Sequence, residues 1–197
     1  MLFDGFGLSV PRGGRYLLDA PSGTGKSTLL RLFLGLEDFD AGTVEIEGTL
    51  LERKSVRGLR RTIAYLSQDI ELAGDRTVSS LFHEILSYDT NRRLAAADIP
   101  GILAEWDLPR GAESSPVGNL SGGERQRLGL AILEYLGRSI WILDEPTAAL
   151  DEERGRMAAR RILGVPGRTV LVVSHDPFWK ELGLDGVVGI PELEVAG

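Results

Sequence analysis

Two glycine-rich turns, each opening a helix, constrain this chain more than any other feature. The first is Ala20-Pro21-Ser22-Gly23-Thr24-Gly25-Lys26-Ser27-Thr28, preceded by the short β-type run Arg15 to Asp19. The second is Leu120-Ser121-Gly122-Gly123-Glu124-Arg125-Gln126. A glycine turn feeding a helix N-terminus exposes backbone N–H groups and the positive end of the helix dipole. Each turn is therefore a ready anion site, and a chain with two must explain the second.

Between and after these turns, strand and helix patterns alternate, which predicts an α/β fold with a mostly parallel core sheet flanked by helices. Lys26 to Leu36 reads as an apolar helix stopped near Gly35. Thr43 to Glu47 alternates strictly and ends at Gly48, as a half-exposed antiparallel strand would. Thr62 to Leu66 is a further strand leading to Gln68. Residues 69–120 differ. Thr77 to Tyr88, about 91–97, and Ile99 to Trp106 have helical spacing without strand signal, and read as an inserted helical subdomain. The small, polar loop Gly111 to Asn119 returns the chain to the second turn, and a helix follows from Gly122 to Leu136. Ser139 to Leu143 and Thr169 to Val173 are runs suited to strands buried on both faces, with the helix Glu152 to Leu163 between them. The division expected is one domain over 1–197, with a core of 1–68 and 121–197.

Composition narrows the function. The net charge of −7 argues against a sequence-independent nucleic-acid binder. The absence of cysteine excludes disulfides, Cys-based zinc sites and thiol catalysis. Met1 to Gly14 lacks the basic start and apolar run of a signal peptide, and no stretch approaches a membrane span.

The first turn resembles a P-loop: strand, glycine loop, Lys, then Ser or Thr opening a helix. Ser22, Gly23, Thr24 and Gly25 would bring backbone N–H groups to phosphate oxygens, with Lys26 reaching the outer phosphates, Ser27 placing its hydroxyl on Mg²⁺, and Thr28 beside it. The pattern usually begins with Gly. Ala20 in its place is tolerable only at negative φ, which is the expectation here. Asp19, an acid at a strand end beside phosphates, has no explanation in sequence. Asp144 and Glu145 end an apolar strand: the first can hold Mg²⁺ or its water ligands, the second can take a proton from an attacking water. Gln68 and His175 are weak signals individually. Each lies within two residues of a predicted strand's C-terminal end, as do the first turn and Asp144, and open parallel sheets bind ligands along that edge. His83 falls on a helical face and receives no role.

Ser121 with Glu124 three positions on is a capping box. A cap does not need Gly122 and Gly123, each costing up to about 1 kcal/mol against alanine in a helix. Close approach to a ligand does. The first turn already holds a triphosphate from one side, so a second cradle suits the far side of the same γ-phosphate, contributed by another copy in a head-to-tail dimer.

With these residues in hand the chain is similar, over nearly its whole length, to the ATP-binding cassette (ABC) ATPases of short bacterial type. The elements run in order: Walker A (Ala20 to Thr28), Q-loop (Gln68), signature (Leu120 to Glu124), Walker B (Ile140 to Asp144), catalytic Glu145, D-loop (Ala149-Leu150-Asp151) and switch His175. The resemblance implies ATP and Mg²⁺, and a dimer closed over two nucleotides, each held by one subunit's Ser22–Thr28 and the other's Ser121, Gly122 and Gly123. It implies that Ser27, Gln68 and Asp144 attend Mg²⁺, that His175 contacts the γ-phosphate, and that the helical insertion docks an integral membrane permease at the cytoplasmic face. Some members of this short exporter type serve iron or metal efflux. Two alternatives stay open: a non-transport ABC ATPase, and a weakly hydrolysing regulatory module. One departure is the start, where the aromatic that normally stacks on adenine has no clear counterpart. Phe3 and Phe6 are candidates, though core positions suit them better, and the antiparallel subdomain should be reduced.

Overall fold

The structure, a computed structural model, describes residues 3, 5–19, 24–69, 72, 74–88 and 98–190, with Leu86 given by its backbone alone. The expected helix over 91–97, the backbone angle at Ala20, and Ser22 and Gly23 lie outside these.

Five strands form one sheet: β1 (Arg15–Asp19), β4 (Ile63–Leu66), β5 (Ile140–Asp144), β6 (Thr169–Val173) and β7 (Gly186–Gly189), in the order β4-β5-β6-β1-β7. Every neighbouring pair is parallel. Successive side chains of a strand point to opposite faces, and the core divides accordingly. Leu17, Leu66, Trp141, Leu143, Val170 and Val172 enter one cluster. Leu18, Ile63, Ile142, Leu171 and Val173 enter the other. Both faces are covered, as the apolar runs require.

The second face is covered by α1 (Lys26–Phe33), which buries Leu29 and Leu30. Gly35 ends this helix at φ 62°, and a Cβ there would stand 2.8 Å from Val56 Cγ2. The Arg60 guanidinium donates to the Leu34 and Gly35 carbonyls, each at 2.7 Å, satisfying groups the helix end leaves open. The antiparallel part is small: β2 (Glu45–Ile46) pairs with β3 (Thr49–Leu50). Glu47 and Gly48 between them both have positive φ, as a tight two-residue hairpin turn demands. Sequence reading misses β3, the short helix α2 (Val56–Leu59) and β7. Gly-Val-Val-Gly is too short and too glycine-rich to signal a strand. It forms one because the open edge of β1 templates it.

The other face carries α5 (Gly122–Leu136) and α6 (Glu152–Leu163), with α3 (Val78–Ser87) and α4 (Ile99–Glu105) packed against the same cluster. Thr77 caps α3, Asp98 caps α4 and Asp151 caps α6, each accepting a backbone N–H. The polar return loop is anchored rather than loose. Val117 is fully buried, and its N–H donates to the Arg76 carbonyl at 2.9 Å. Glu134 of α5 ties α4 to α6: its Oε2 accepts from Trp106 Nε1 at 2.8 Å and Arg161 Nε at 2.7 Å. Arg161 also pairs with Glu105 and lies over the Trp106 ring. Glu134→Ala is expected to cost about 1–3 kcal/mol, because it strands two donors. Thermal melting should show this as a fall of about 2–4 °C for each kcal/mol, with hydrogen exchange rising first in α4.

Candidate active site

Parallel register brings four strand ends to one edge. Leu66 lies beside Leu143, Asp144 beside Val173, and Val173 beside Leu18. The residues that follow these ends are Gln68, Glu145, His175 and the turn before Gly25.

Gly25 caps α1 at φ 83°, a left-handed angle that calls for glycine. No side chain caps this helix, and its first turn holds no acid. Ser27, in that turn, donates its hydroxyl to Asp144 Oδ2 at 2.7 Å. Asp144 is only 2 % exposed. Burial raises its pKa above the ordinary aspartate value; the Ser27 hydrogen bond and the charges of Lys26 and Arg31 oppose this, while Glu145 adds to it. A buried, under-compensated carboxylate beside a hydroxyl is a hard-oxygen pair suited to a small divalent cation. Ser27 and Asp144 thus fit the Mg²⁺ that the sequence implies.

A carboxylate with raised folded pKa favours the fold at low pH, and that contribution is lost as pH rises from its ordinary value through the raised one. Asp144→Asn should therefore raise the melting temperature of metal-free, nucleotide-free protein at neutral pH, by about 2–4 °C per kcal/mol relieved, and abolish stimulation of activity by Mg²⁺. A lower melting temperature would count against a charge buried at the expense of stability.

Glu145 follows in a left-handed backbone conformation, φ 49°, which is uncommon for a residue with a side chain. Its carboxylate is buried. Oε1 lies 2.9 Å from His175 Nδ1, while Oε2 has no hydrogen-bond partner among the described residues. The His175 side chain is 70 % exposed, so the pair stands at the mouth of the site. The hydrogen bond to Glu145 raises the His175 pKa, its negative charge adds to this, and Lys26 works against it. The imidazole is therefore charged below the raised value, and its charge is lost as pH rises through it. The Lys26 charge is felt by both Asp144 and His175, which places the first turn and the ends of β5 and β6 in one electrostatic field. Gln68 is exposed past the end of β4 and bonds neither Ser27 nor Asp144.

The structure explains Asp19. Its carboxylate pairs with Lys180 Nζ at 2.5 Å, on the 3₁₀ turn Pro177–Glu181 that follows His175. That turn has a second support which sequence reading missed. Thr147, buried, donates to Asp176 Oδ2 at 2.7 Å and accepts from Trp179 Nε1 at 3.3 Å. No local pattern announces it, since its partners lie about thirty residues away.

At the second turn Ser121 and Gly122 are exposed. Ser121 accepts the Glu124 N–H at 3.3 Å while Glu124 accepts the Ser121 N–H at 2.8 Å, a complete capping box. The backbone bond from Ser121 lowers the Glu124 pKa. The two glycines differ. A Cβ on Gly123 would stand 3.0 Å from the Ala149 carbonyl oxygen, so a side chain there would press on the chain's own D-loop. Gly122 would meet only Ala149 Cβ, at 3.8 Å, and is left without an internal steric reason. Phe3 and Phe6 pack on the α1-side cluster with ring centroids 5.8 Å apart. They line a cavity of about 860 Å³ beneath the β2–β3 hairpin, which Thr28 touches but Lys26, Ser27, Asp144, Glu145 and His175 do not.

Residues 3–148 match the ABC transporter family model. The chain belongs to the ABC transporter family. It is 35 % identical over 182 residues to an ATP-dependent lipid A-core flippase of Ralstonia nicotianae, and 38 % identical over 169 residues to one of Cupriavidus metallidurans. These alignments cover 87 % and 80 % of this chain but 30 % and 28 % of the flippases, so the chain spans about a third of their length. Its fold is that of a bacterial ABC transporter cassette solved as a dimer, with TM-score 0.79 and 24 % identity over 98 % of this chain and 88 % of that one. A bacterial Atm1-family ABC exporter with ATP bound gives TM-score 0.77 at 23 % identity, covering 96 % of this chain and 34 % of the exporter. Among the described residues no helix is long and apolar enough to cross a membrane.

Proposed function

We propose that this chain is the energy-coupling subunit of an ABC transporter: it binds and hydrolyses ATP as a dimer and drives a separate membrane permease from the cytoplasmic face. The observation that carries the reading is the pairing of Ser27 with Asp144 and of Glu145 with His175 along one sheet edge, both under the Lys26 charge.

In this reading Ser22, Gly23, Thr24, Gly25 and Thr28 cradle the phosphates and Lys26 neutralises their outer charge. Ser27 and Asp144 hold Mg²⁺, with Gln68 reaching it when β4's end moves inward. Bound there, Mg²⁺ supplies charge neutralisation at the phosphates. Glu145 accepts the proton of the attacking water on the buried Oε2, which has a free lone pair for it. His175, through Nδ1, holds the other carboxylate oxygen and so orients the base. Ser121, Gly122 and Gly123 approach the nucleotide of the neighbouring copy, which accounts for the exposed Gly122. ATP favours the closed dimer because only that state completes both sites, a ligand-driven shift in population. The family of the flippase relatives supports coupling to export across a membrane.

The test is steady-state hydrolysis by purified protein with ATP and Mg²⁺, with sedimentation in parallel. Turnover that vanishes in EDTA, and a dimer seen with ATP but not without it, is the expected result. Hydrolysis that needs no dimer, at rates independent of protein concentration, would overturn the shared-site reading. Co-purification with a membrane protein is expected; stable ribosome or DNA association would point to a non-transport ATPase instead.

A further inference from the structure

The left-handed backbone at Glu145 needs something to hold it. Such a conformation is strained in a non-glycine residue and persists only where its surroundings over-determine it. Its N–H is fixed by the Val173 carbonyl at 2.8 Å. Its carbonyl, which the left-handed turn redirects, accepts from Gln126 Nε2 at 2.9 Å. Gln126 is 3 % exposed, and its other end is also occupied: Oε1 accepts the Ala149 N–H at 3.2 Å. One buried amide thus spans both ends of the segment from Glu145 to Ala149.

Gln126 also sits on α5, four residues beyond Gly122 and three beyond Gly123. Residues at these spacings share a helix face, and the same face carries the 3.0 Å approach of Gly123 to the Ala149 carbonyl oxygen. The turn that presents Ser121 and Gly122 to the outside is therefore joined to the backbone of Glu145 through one side chain and one close contact. If the amide is lost, the Glu145 carbonyl keeps only the longer bond from the Ala148 N–H at 3.3 Å, and the Ala149 N–H loses its bond to Oε1.

We propose that Gln126 is a positioning residue for Glu145: its side-chain amide holds the carbonyl of Glu145 and the N–H of Ala149 together, and so transmits the placement of the Ser121–Gly123 turn to the carboxylate of Glu145. Gln126 is buried and acts through the Glu145 backbone. The proposal rests on Glu145 being the base. It adds that the base is competent only while α5's first turn is seated.

The decisive variant is Gln126→Met, which fills similar space and makes neither bond. A misplaced base loses rate without losing ground-state binding, so kcat is expected to fall about tenfold to a hundredfold while KM for ATP stays within about twofold. Glu145→Gln and the double variant complete a cycle. If Gln126 works through Glu145, the double variant hydrolyses at the same residual rate as Glu145→Gln alone. Independent, multiplying losses in the double variant would overturn the proposal. So would a kcat unchanged in Gln126→Met, or a loss of ATP affinity parallel to the loss of rate. If Gln126→Met does not fold, judged by circular dichroism, Gln126→Glu at pH 8 takes its place in the same cycle, since it keeps the acceptor for Ala149 and loses the donor to Glu145. Near wild-type hydrolysis by Glu145→Gln alone would instead refute the base assignment, which keeps the two failures apart.

Discussion

Glu145→Gln should leave ATP bound and unhydrolysed. General-base assistance contributes about 10²–10⁴-fold to a rate, and turnover is expected to fall by that much. The substitution is nearly isosteric. The amide can still meet His175, and the backbone bonds to Val173 and Gln126 do not involve the side chain. ATP affinity should therefore stay within a few-fold of wild type. On the proposed cycle, in which nucleotide binding closes the dimer and hydrolysis reopens it, the variant should accumulate as an ATP-loaded dimer, visible as a doubled mass by sedimentation. Turnover close to wild type would remove Glu145 as the base. Lost turnover with lost ATP binding would mean that the substitution disturbed the site rather than its chemistry.

The sheet and the order of the site elements were readable because each rests on local chemistry. Ile140 to Leu143 is apolar at every position, so the strand had to be covered twice, and Asp144 had to fall at its end. Ser121 and Glu124 carry their capping geometry in their spacing. Other features depend on contacts between distant residues. The left-handed angle at Glu145 comes from what Val173 and Gln126 do to its backbone, and Glu is not a residue type that announces it. Lys180, which accounts for Asp19, lies far along the chain. Gly123 has a second neighbour that spacing does not show: a Cβ there would stand 3.0 Å from the Ala149 carbonyl oxygen, inside the chain. Gln126 left a faint signal. It lies four residues before the buried Leu130, where a glutamine must find partners.

Lys26→Ala should act in the opposite way to Glu145→Gln, on binding rather than chemistry. Hydrogen bonds to charged groups contribute about 1.5–3 kcal/mol, and about 1.4 kcal/mol is a factor of ten in affinity. ATP affinity is therefore expected to fall roughly ten- to hundredfold, with hydrolysis lost at ordinary ATP concentrations. A second effect follows from the field the lysine exerts. Its charge lowers the pKa of both Asp144 and His175. Without it, the Asp144 carboxyl should titrate higher still, and the His175 imidazolium should persist to higher pH, where Glu145 holds it more firmly. NMR titration of the His175 ring in the Lys26→Ala variant should thus show its midpoint moved upward from wild type. Unchanged ATP affinity would refute the phosphate-binding role of Lys26. A His175 midpoint that does not move would refute the shared field, and with it the argument that the first turn and the ends of β5 and β6 form one site before any nucleotide arrives.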